Sequence, residues 1–263
     1  MMGLGSVMSP TTECGIWGSY QCLELDGNSD YFDLDLAIGE HINPLNGTIS
    51  VWINIRANDG TTNQNIVRLI DDSTNNGVIL MYDRSNTEFR AVYRVNGVYV
   101  EATYNDASLD HDGYMDQGWI HLAMTWNNDN QGTGAVKIYF NGAVQESVSQ
   151  NEAWNAGTNV LDVFRVGSDD AGTSDFFDGH IDQLGIWEST LHRNQILAIH
   201  NGGVPFDLTS SFISVAARQT YSRHGDLIGY YQFEGNGLDS SGNRCHGTLN
   251  GTAGFSSDGV IIQ

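Results

Sequence analysis

Lysine is nearly missing from this 263-residue chain: Lys137 is the single one among 11 basic residues, which face 32 acidic residues for a formal charge of −21. Such a surface repels phosphate backbones and anionic lipid headgroups, so nucleic acid and membrane surfaces are excluded as partners. The charge by itself speaks of solubility or a saline setting more than of one acidic interface. Proline is scarce as well, at three residues, and with 40% hydrophobic residues the composition is that of a folded chain. The three cysteines, Cys14, Cys22 and Cys245, form no metal-ligand spacing, and their odd number leaves at least one thiol free. Cys14 and Cys22 are near enough in sequence to pair, but no disulfide framework is implied, and reduced packing thiols are expected. No apolar run approaches the roughly 18 residues of a membrane span. The stretch Met1 to Pro10 lacks both a charged n-region and a continuous apolar h-region, so no secretory signal is read there. Helical periodicity is rare too. Only Arg193 to His200 shows it, with Ile196 and Ile199 on one face and Asn201-Gly202 as a C-terminal stop.

What is abundant is β pattern. Runs rich in Val, Ile, Thr, Tyr and Trp recur between Asn/Asp/Gly clusters and predict strands over Gln21 to Leu25, Thr48 to Ile55, Asn65 to Asp71, Gly77 to Asp83, Glu88 to Val95, Val98 to Asn105, Gly118 to Asn127, Val136 to Phe140, Gly142 to Ser149 and Val160 to Gly167. Asn96-Gly97 and Asn141-Gly142 supply the positive φ of type I′ hairpin turns. With almost no helix to cover a sheet, the cover has to be a second sheet. The long connections Asn105 to Gln117 and Gln150 to Asn159 suit Greek-key crossings, so the expected fold is an all-β, antiparallel, two-sheet jelly-roll sandwich.

Within Phe177 to Trp187, strict alternation puts Asp182 on the same face as Leu184 and Ile186, toward the core. A carboxylate there requires a metal ion, an Arg or backbone N–H donors, and calcium suits an oxygen-rich site. The alternative is an Asp bonded to backbone at a sheet edge.

Several segments in order resemble the laminin-G-like, or concanavalin A-like, lectin and glucanase jelly roll. They are Leu23 to Phe32, with Asp26-Gly27 and Asp30-Tyr31; Thr48-Ile49-Ser50-Val51-Trp52-Ile53; Gly118 to Trp126 followed by Val136 to Gly142; and Phe177 to Trp187 with Leu191 to Gly203. The resemblance covers about residues 20 to 205. It implies a concanavalin A-like sandwich over 21–205, preceded by an N-terminal arm (1–20) and followed by a linker (206–225) and a strand-bearing extension (226–263). It also implies that Asp182, Asp26 and Asp30 meet where the first and last strands pair and hold a structural Ca2+. Leu227 to Asn236, Asp239 to Asn243 and His246 to Leu249 resemble a segment that usually precedes the opening strand in this family. Here it follows the closing helix. It either completes the same sandwich, pairs with a neighbouring subunit, or forms a separate small extension. Tails of this kind resemble those of tailed-phage structural proteins. On that resemblance the chain is expected to be a capsid decoration or fibre component of a virion, a homo-oligomer attached to the major capsid protein or to tail or fibre subunits, and touching host cell-surface glycans. The alternative is an extracellular bacterial surface adhesin or carbohydrate-binding module.

Catalysis is not expected. Glucan-cleaving relatives carry two glutamates and an aspartate on one strand, whereas His180 to Glu188 lacks the first glutamate and misplaces the second. A Gly-x-Ser-x-Gly run is also missing. Aromatic side chains on long loops, Tyr104, Tyr114 and Trp154, are the candidates for stacking on sugar rings, against the alternative that each packs under its own loop. Trp52, Trp119, Trp126 and Trp187 fall in strand patterns and are assigned to the core or its margins. Asp71-Asp72 and Asp169-Asp170 are read as solvated acidic loops, against the alternative that they bind calcium at loop tips, and His121 as a packed core residue.

Overall fold

The structure is a computed structural model that describes residues 19–56, 63–71, 73–74, 76–127, 134–149, 153, 161–169 and 171–260. In chain order the strands are β1 (Cys22–Asp26), β2 (Tyr31–Asp33), β3 (Asn46–Ile55), β4 (Gln64–Asp71), β5 (Asn76–Asp83), β6 (Glu88–Val95), β7 (Val98–Tyr104), β8 (Ile120–Asn127), β9 (Ala135–Phe140), β10 (Ala143–Ser149), β11 (Val163–Val166), β12 (Asp178–Trp187), β13 (Phe212–Ser214), β14 (Gln219–Tyr221), β15 (Leu227–Tyr231), β16 (Thr248–Asn250) and β17 (Gly254–Ser256). Two short α-helices join them, α1 (His111–Met115) and α2 (Arg193–His200). One sheet runs β10-β9-β8-β3-β12-β1-β17, with β15 also paired to β12; the other runs β16-β2-β11-β4-β5-β6-β7. Every pairing is antiparallel.

The alternation read from the sequence holds along most strands. Val51 and Ile53 of β3, Leu122 and Met124 of β8, and Leu80 and Tyr82 of β5 meet in one buried core between the sheets. Asn96 and Gly97 take φ of 50° and 79°, and Asn141 and Gly142 take 47° and 78°, so both Asn-Gly hairpins turn as their residues require. Gly47 has no alternative, because a Cβ there would sit 1.9 Å from the Trp126 ring. Trp126 and Trp187 are fully buried, and α2 ends on Asn201 in the left-handed region.

Two segments do more than connect. Residues 206–225, expected as a linker, fold into the β13–β14 hairpin. With α2 they cover the outer face of the first sheet, burying Leu208, Phe212 and Tyr221 against Trp187, Tyr139 and Tyr230 in a second core. The C-terminal strands pair within their own chain: β15 with β12, β16 with β2 and β17 with β1. The relocated segment therefore completes both sheets of the same sandwich, the first of the three arrangements open to it.

Candidate functional site

β1 and β15 share one edge of β12 end to end. β1 pairs with Asp178 to Ile181, and β15 takes over from Leu184 to Trp187. Between them the β12 register slips against β3, with Gln183 in the left-handed region at φ 49°. This bulge inserts a residue and breaks the alternation. Ile181, Leu184 and Ile186 all reach the core between the sheets, and Asp182 turns to the opposite face. The expectation that Asp182 shares a face with Leu184 and Ile186 is corrected for that reason.

Asp182 is nonetheless fully buried. Its Oδ1 accepts the Gln183 N–H at 2.8 Å and its Oδ2 the Val260 N–H at 3.2 Å. Burial pushes the carboxyl up to about 8, against hydrogen bonding from the Ser19 hydroxyl and the Val260 and Gln183 N–H groups, which favours the protonated form at neutral pH. The partners it required are protein donors, one hydroxyl and two backbone N–H groups.

Asp26 and Asp30 lie elsewhere. Asp26 is opposite Asp178 in the β1–β12 ladder, four residues from Asp182. Its Oδ1 accepts the N–H groups of Asn28, Ser29 and Asp30 at 2.8–3.0 Å. Burial alone would raise this carboxyl, but those donors outweigh it and hold it below the ordinary carboxylate value. Asp30 fixes the C-terminal segment, accepting the Thr252 N–H at 2.6 Å and its hydroxyl at 3.0 Å. The three aspartates thus do not converge, and among the described residues no three His, Cys, Asp or Glu side chains are placed to hold a metal ion. Asp26 and Asp30 spend their Oδ1 atoms on protein N–H groups, while each Oδ2 meets only a hydroxyl, of Ser29 at 3.2 Å and of Thr252 at 3.3 Å.

What Asp26 and Asp30 do share is a cleft of about 720 Å³, whose lining also includes Glu24, Arg56, Asp178, Thr252, Gly254 and Phe255. Arg56 organises it. Its guanidinium reaches Glu24 at 2.8 Å and Asp178 at 3.2 Å and also donates to the Leu25 carbonyl. Burial raises the Asp178 carboxyl, and the charge of Arg56 offsets part of that rise. The cleft exists because β17 lies beside β1 and brings Phe255 level with Leu23. A second, smaller cleft of about 200 Å³ opens on the outer face of the first sheet, lined by Asn127, Lys137, Tyr139, Thr190, Leu191, His192 and Arg193.

Of the described loop aromatics, neither Tyr104 nor Tyr114 lines either cleft. Tyr114 is fully buried in α1, its hydroxyl accepting the Asp106 N–H at 2.7 Å and its ring edge-on to Phe89. It is unavailable to a sugar, so the stacking role is corrected to a packing one. Tyr104 is half-buried with its ring 4.6 Å from Phe140, and Trp154 lies outside the described residues. His121 is a buried packing residue, as expected, bonded to the Ser50 hydroxyl at 2.8 Å. Asp71 and Asp169 close their own loops, on Ser73 and Thr74 and on Thr173 and Ser174 respectively.

The family model described as the concanavalin A-like lectin/glucanases superfamily matches residues 26–197. The chain belongs to that superfamily. No curated protein sequence matches this lectin/glucanase-type chain. Among solved structures, it is similar to a candidate carbohydrate-binding protein from Bacteroides ovatus, with a TM-score of 0.58 and 18% identity over 91% of this chain; the match spans 60% of that protein's length. The carbohydrate-binding module CBM40 of the Ruminococcus gnavus IT-sialidase, solved with α2,3-sialyllactose, matches with a TM-score of 0.51 and 15% identity over 70% of this chain and all of its own length. A heptameric SAP-like pentraxin from Limulus polyphemus matches at 0.51 and 12% identity, over 88% of this chain and 95% of its own. At such identities these likenesses speak for the fold. No helix among the described residues is long and apolar enough to cross a membrane.

Arg56, Asp178 and Phe255 were missed by sequence reasoning. Phe255 joins the site only through the β17–β1 pairing, which no local pattern announces. Arg56 carried a readable hint, as one of few cations in an acidic chain directly following a predicted strand.

Proposed function

We propose that this protein is a non-catalytic carbohydrate-binding jelly roll whose principal sugar site is the cleft at the β1–β12–β17 seam. The observation that carries this reading is the Arg56 bridge. Ionised carboxylates accept from sugar hydroxyls, the guanidinium donates to them, and Phe255 supplies an apolar wall, a mixture suited to a polyhydroxylated ligand. The superfamily and the carbohydrate-binding proteins among its structural neighbours support the same reading. Bond cleavage is disfavoured by the chemistry of the cleft. A retaining glycosidase needs one carboxyl free as acid and another as nucleophile, but Glu24 and Asp178 are both engaged by a single guanidinium.

The virion reading leaned on the likeness of the relocated C-terminal segment to tails of tailed-phage proteins, a likeness that its pairing within its own sandwich leaves as it was. Glycan binding is preferred because carbohydrate-binding proteins stand among the structural neighbours. A glycan array with the wild-type chain, Arg56→Gln and Asp178→Asn tests the proposal. Binding that both substitutions weaken is expected. No glycan bound, or binding indifferent to both, overturns it; retention on assembled virus particles in place of glycans would instead favour the capsid or fibre role, and turnover of a β-glucan would make the protein an enzyme.

A further inference from the structure

Several of the few cations in this chain are matched where they stand. Arg56, Arg90, Arg165 and Arg223 each lie against a carboxylate. Lys137 and Arg193 do not: among the described residues neither has a carboxylate within ion-pair distance, and both line the smaller cleft. Their convergence follows from the fold. Val136 and Ile138 of β9 enter the core between the sheets, so Lys137 and Tyr139 project from the outer face. Arg193 opens α2, which packs over that face.

The remaining lining is also rich in donors. Asn127 spends its Oδ1 on the Ala135 N–H at 3.0 Å, which leaves its side-chain N–H groups to donate. His192 accepts the Asn194 N–H on Nδ1 at 3.3 Å, which puts the proton of the neutral ring on Nε2. Thr190 gives its hydroxyl proton to the Trp126 carbonyl at 2.6 Å, and Leu191 is apolar. Among the described residues no carboxylate lines this cleft. The chain as a whole repels anions, but charges farther away than about 8 Å are largely screened at physiological ionic strength, so the nearby ammonium and guanidinium set the local potential.

We propose that the cleft between β9 and the start of α2 is an oxyanion site, in which Lys137 and Arg193 hold the sulfate or carboxylate group of an acidic glycan. Guanidinium and ammonium donors are the usual pair for such groups, one planar and bidentate, the other a point charge. The volume, about 200 Å³, falls below the roughly 300–1,000 Å³ of pockets that enclose a whole ligand, so the site grips a charged substituent while the sugar chain lies across the sheet. The assignment of the anion to a glycan rests on the carbohydrate-binding reading; the oxyanion chemistry does not.

The test is titration of the full chain by isothermal calorimetry with inorganic sulfate, a sulfated oligosaccharide, a uronic-acid oligosaccharide and a neutral oligosaccharide. The proteins are wild type, Lys137→Gln, Arg193→Gln, and Arg218→Gln, which makes the same charge change at the exposed β13–β14 turn. Circular dichroism checks that each is folded. Sulfate and at least one acidic oligosaccharide should bind wild type and Arg218→Gln alike, and Lys137→Gln and Arg193→Gln should each lose about tenfold or more. Equal affinities in all four proteins, or no sulfate or acidic sugar bound by wild type, overturn the site. Sulfate binding without either acidic oligosaccharide overturns the glycan assignment. Loss of neutral-sugar binding alone counts against the seam cleft and leaves the oxyanion site standing.

Discussion

The seam cleft and the β9–α2 cleft draw on different distances along the chain and carry opposite charge. The first needs Glu24 and Asp26 from one end, Arg56 and Asp178 from the middle, and Thr252 to Phe255 from the other end. The second is assembled from Asn127, Lys137 and Tyr139 and from 190–193, on strands and a helix start that a local reading already locates. In the acidic cleft, one guanidinium shared between Glu24 and Asp178 offsets part of the charge, and Asp26 and Asp30 leave the cleft negative. In the cationic cleft the positive groups have no internal counterpart among the described residues. A site closed by distant segments depends on the completeness of the fold, whereas a site of local segments depends on the charge of two side chains.

Deleting residues 226–263 should break the comparison most severely. The deletion removes Leu227, Ile228, Tyr230, Tyr231 and Phe233, all buried. At about 1.5–3 kcal/mol each, they represent on the order of 10 kcal/mol, comparable with the whole net stability of a domain. Loss of the cooperative melt by circular dichroism is expected. A truncated chain that still melts cooperatively would show that the seam is closed without these strands.

Next in size is the pH response of Asp182. Its folded value of about 8 exceeds the unfolded value near 3.9, so the native chain keeps a proton that the unfolded chain releases. The associated stability is fully present below about pH 4 and is lost as pH rises through 8, on the order of a few kcal/mol over that window. Asp182→Asn should flatten this dependence in urea unfolding at pH 5, 7 and 8.5. Parallel curves for the two proteins would refute a buried neutral acid.

Smaller effects separate the clefts. Arg56→Gln should cost no more than about 1 kcal/mol, because its ion pair with Glu24 is partly solvent-exposed. Lys137→Gln, with no ion-pair partner among the described residues, should leave the melting temperature unchanged. A larger drop for Lys137→Gln than for Arg56→Gln would invert the assignment of which charge is matched. The smallest expected effect concerns calcium: chelator or added Ca2+ should shift the melting temperature of neither wild type nor Asp26→Asn. A calcium-induced rise that Asp26→Asn abolishes would restore an ion at the seam.

Much of the sandwich was readable from the chain, because alternation of apolar residues and Asn-Gly turns are local signals. The strand expected over Glu88 to Val95 and the helix over Arg193 to His200 coincide with β6 and α2. Where reading failed, a non-local event overrode a local rule. Asp182 was put on the core face since alternation was assumed through Gln183, a residue type that gives no warning of a left-handed backbone. Phe212 and Tyr221 were placed in a linker because three-residue strands carry too few positions for a period to emerge. Tyr114 was taken for a loop aromatic since one turn of helix leaves no pattern in five residues.

The handover on the edge of β12 has a consequence for architecture. Ser19 and Val260 stand side by side there, so close that a Cβ on Gly259 would lie 2.6 Å from the Ser19 carbonyl oxygen. The first and last described stretches of the chain meet at one spot. A chain reconnected between residues 19 and 260 and reopened at Asn96-Gly97 should therefore keep both clefts.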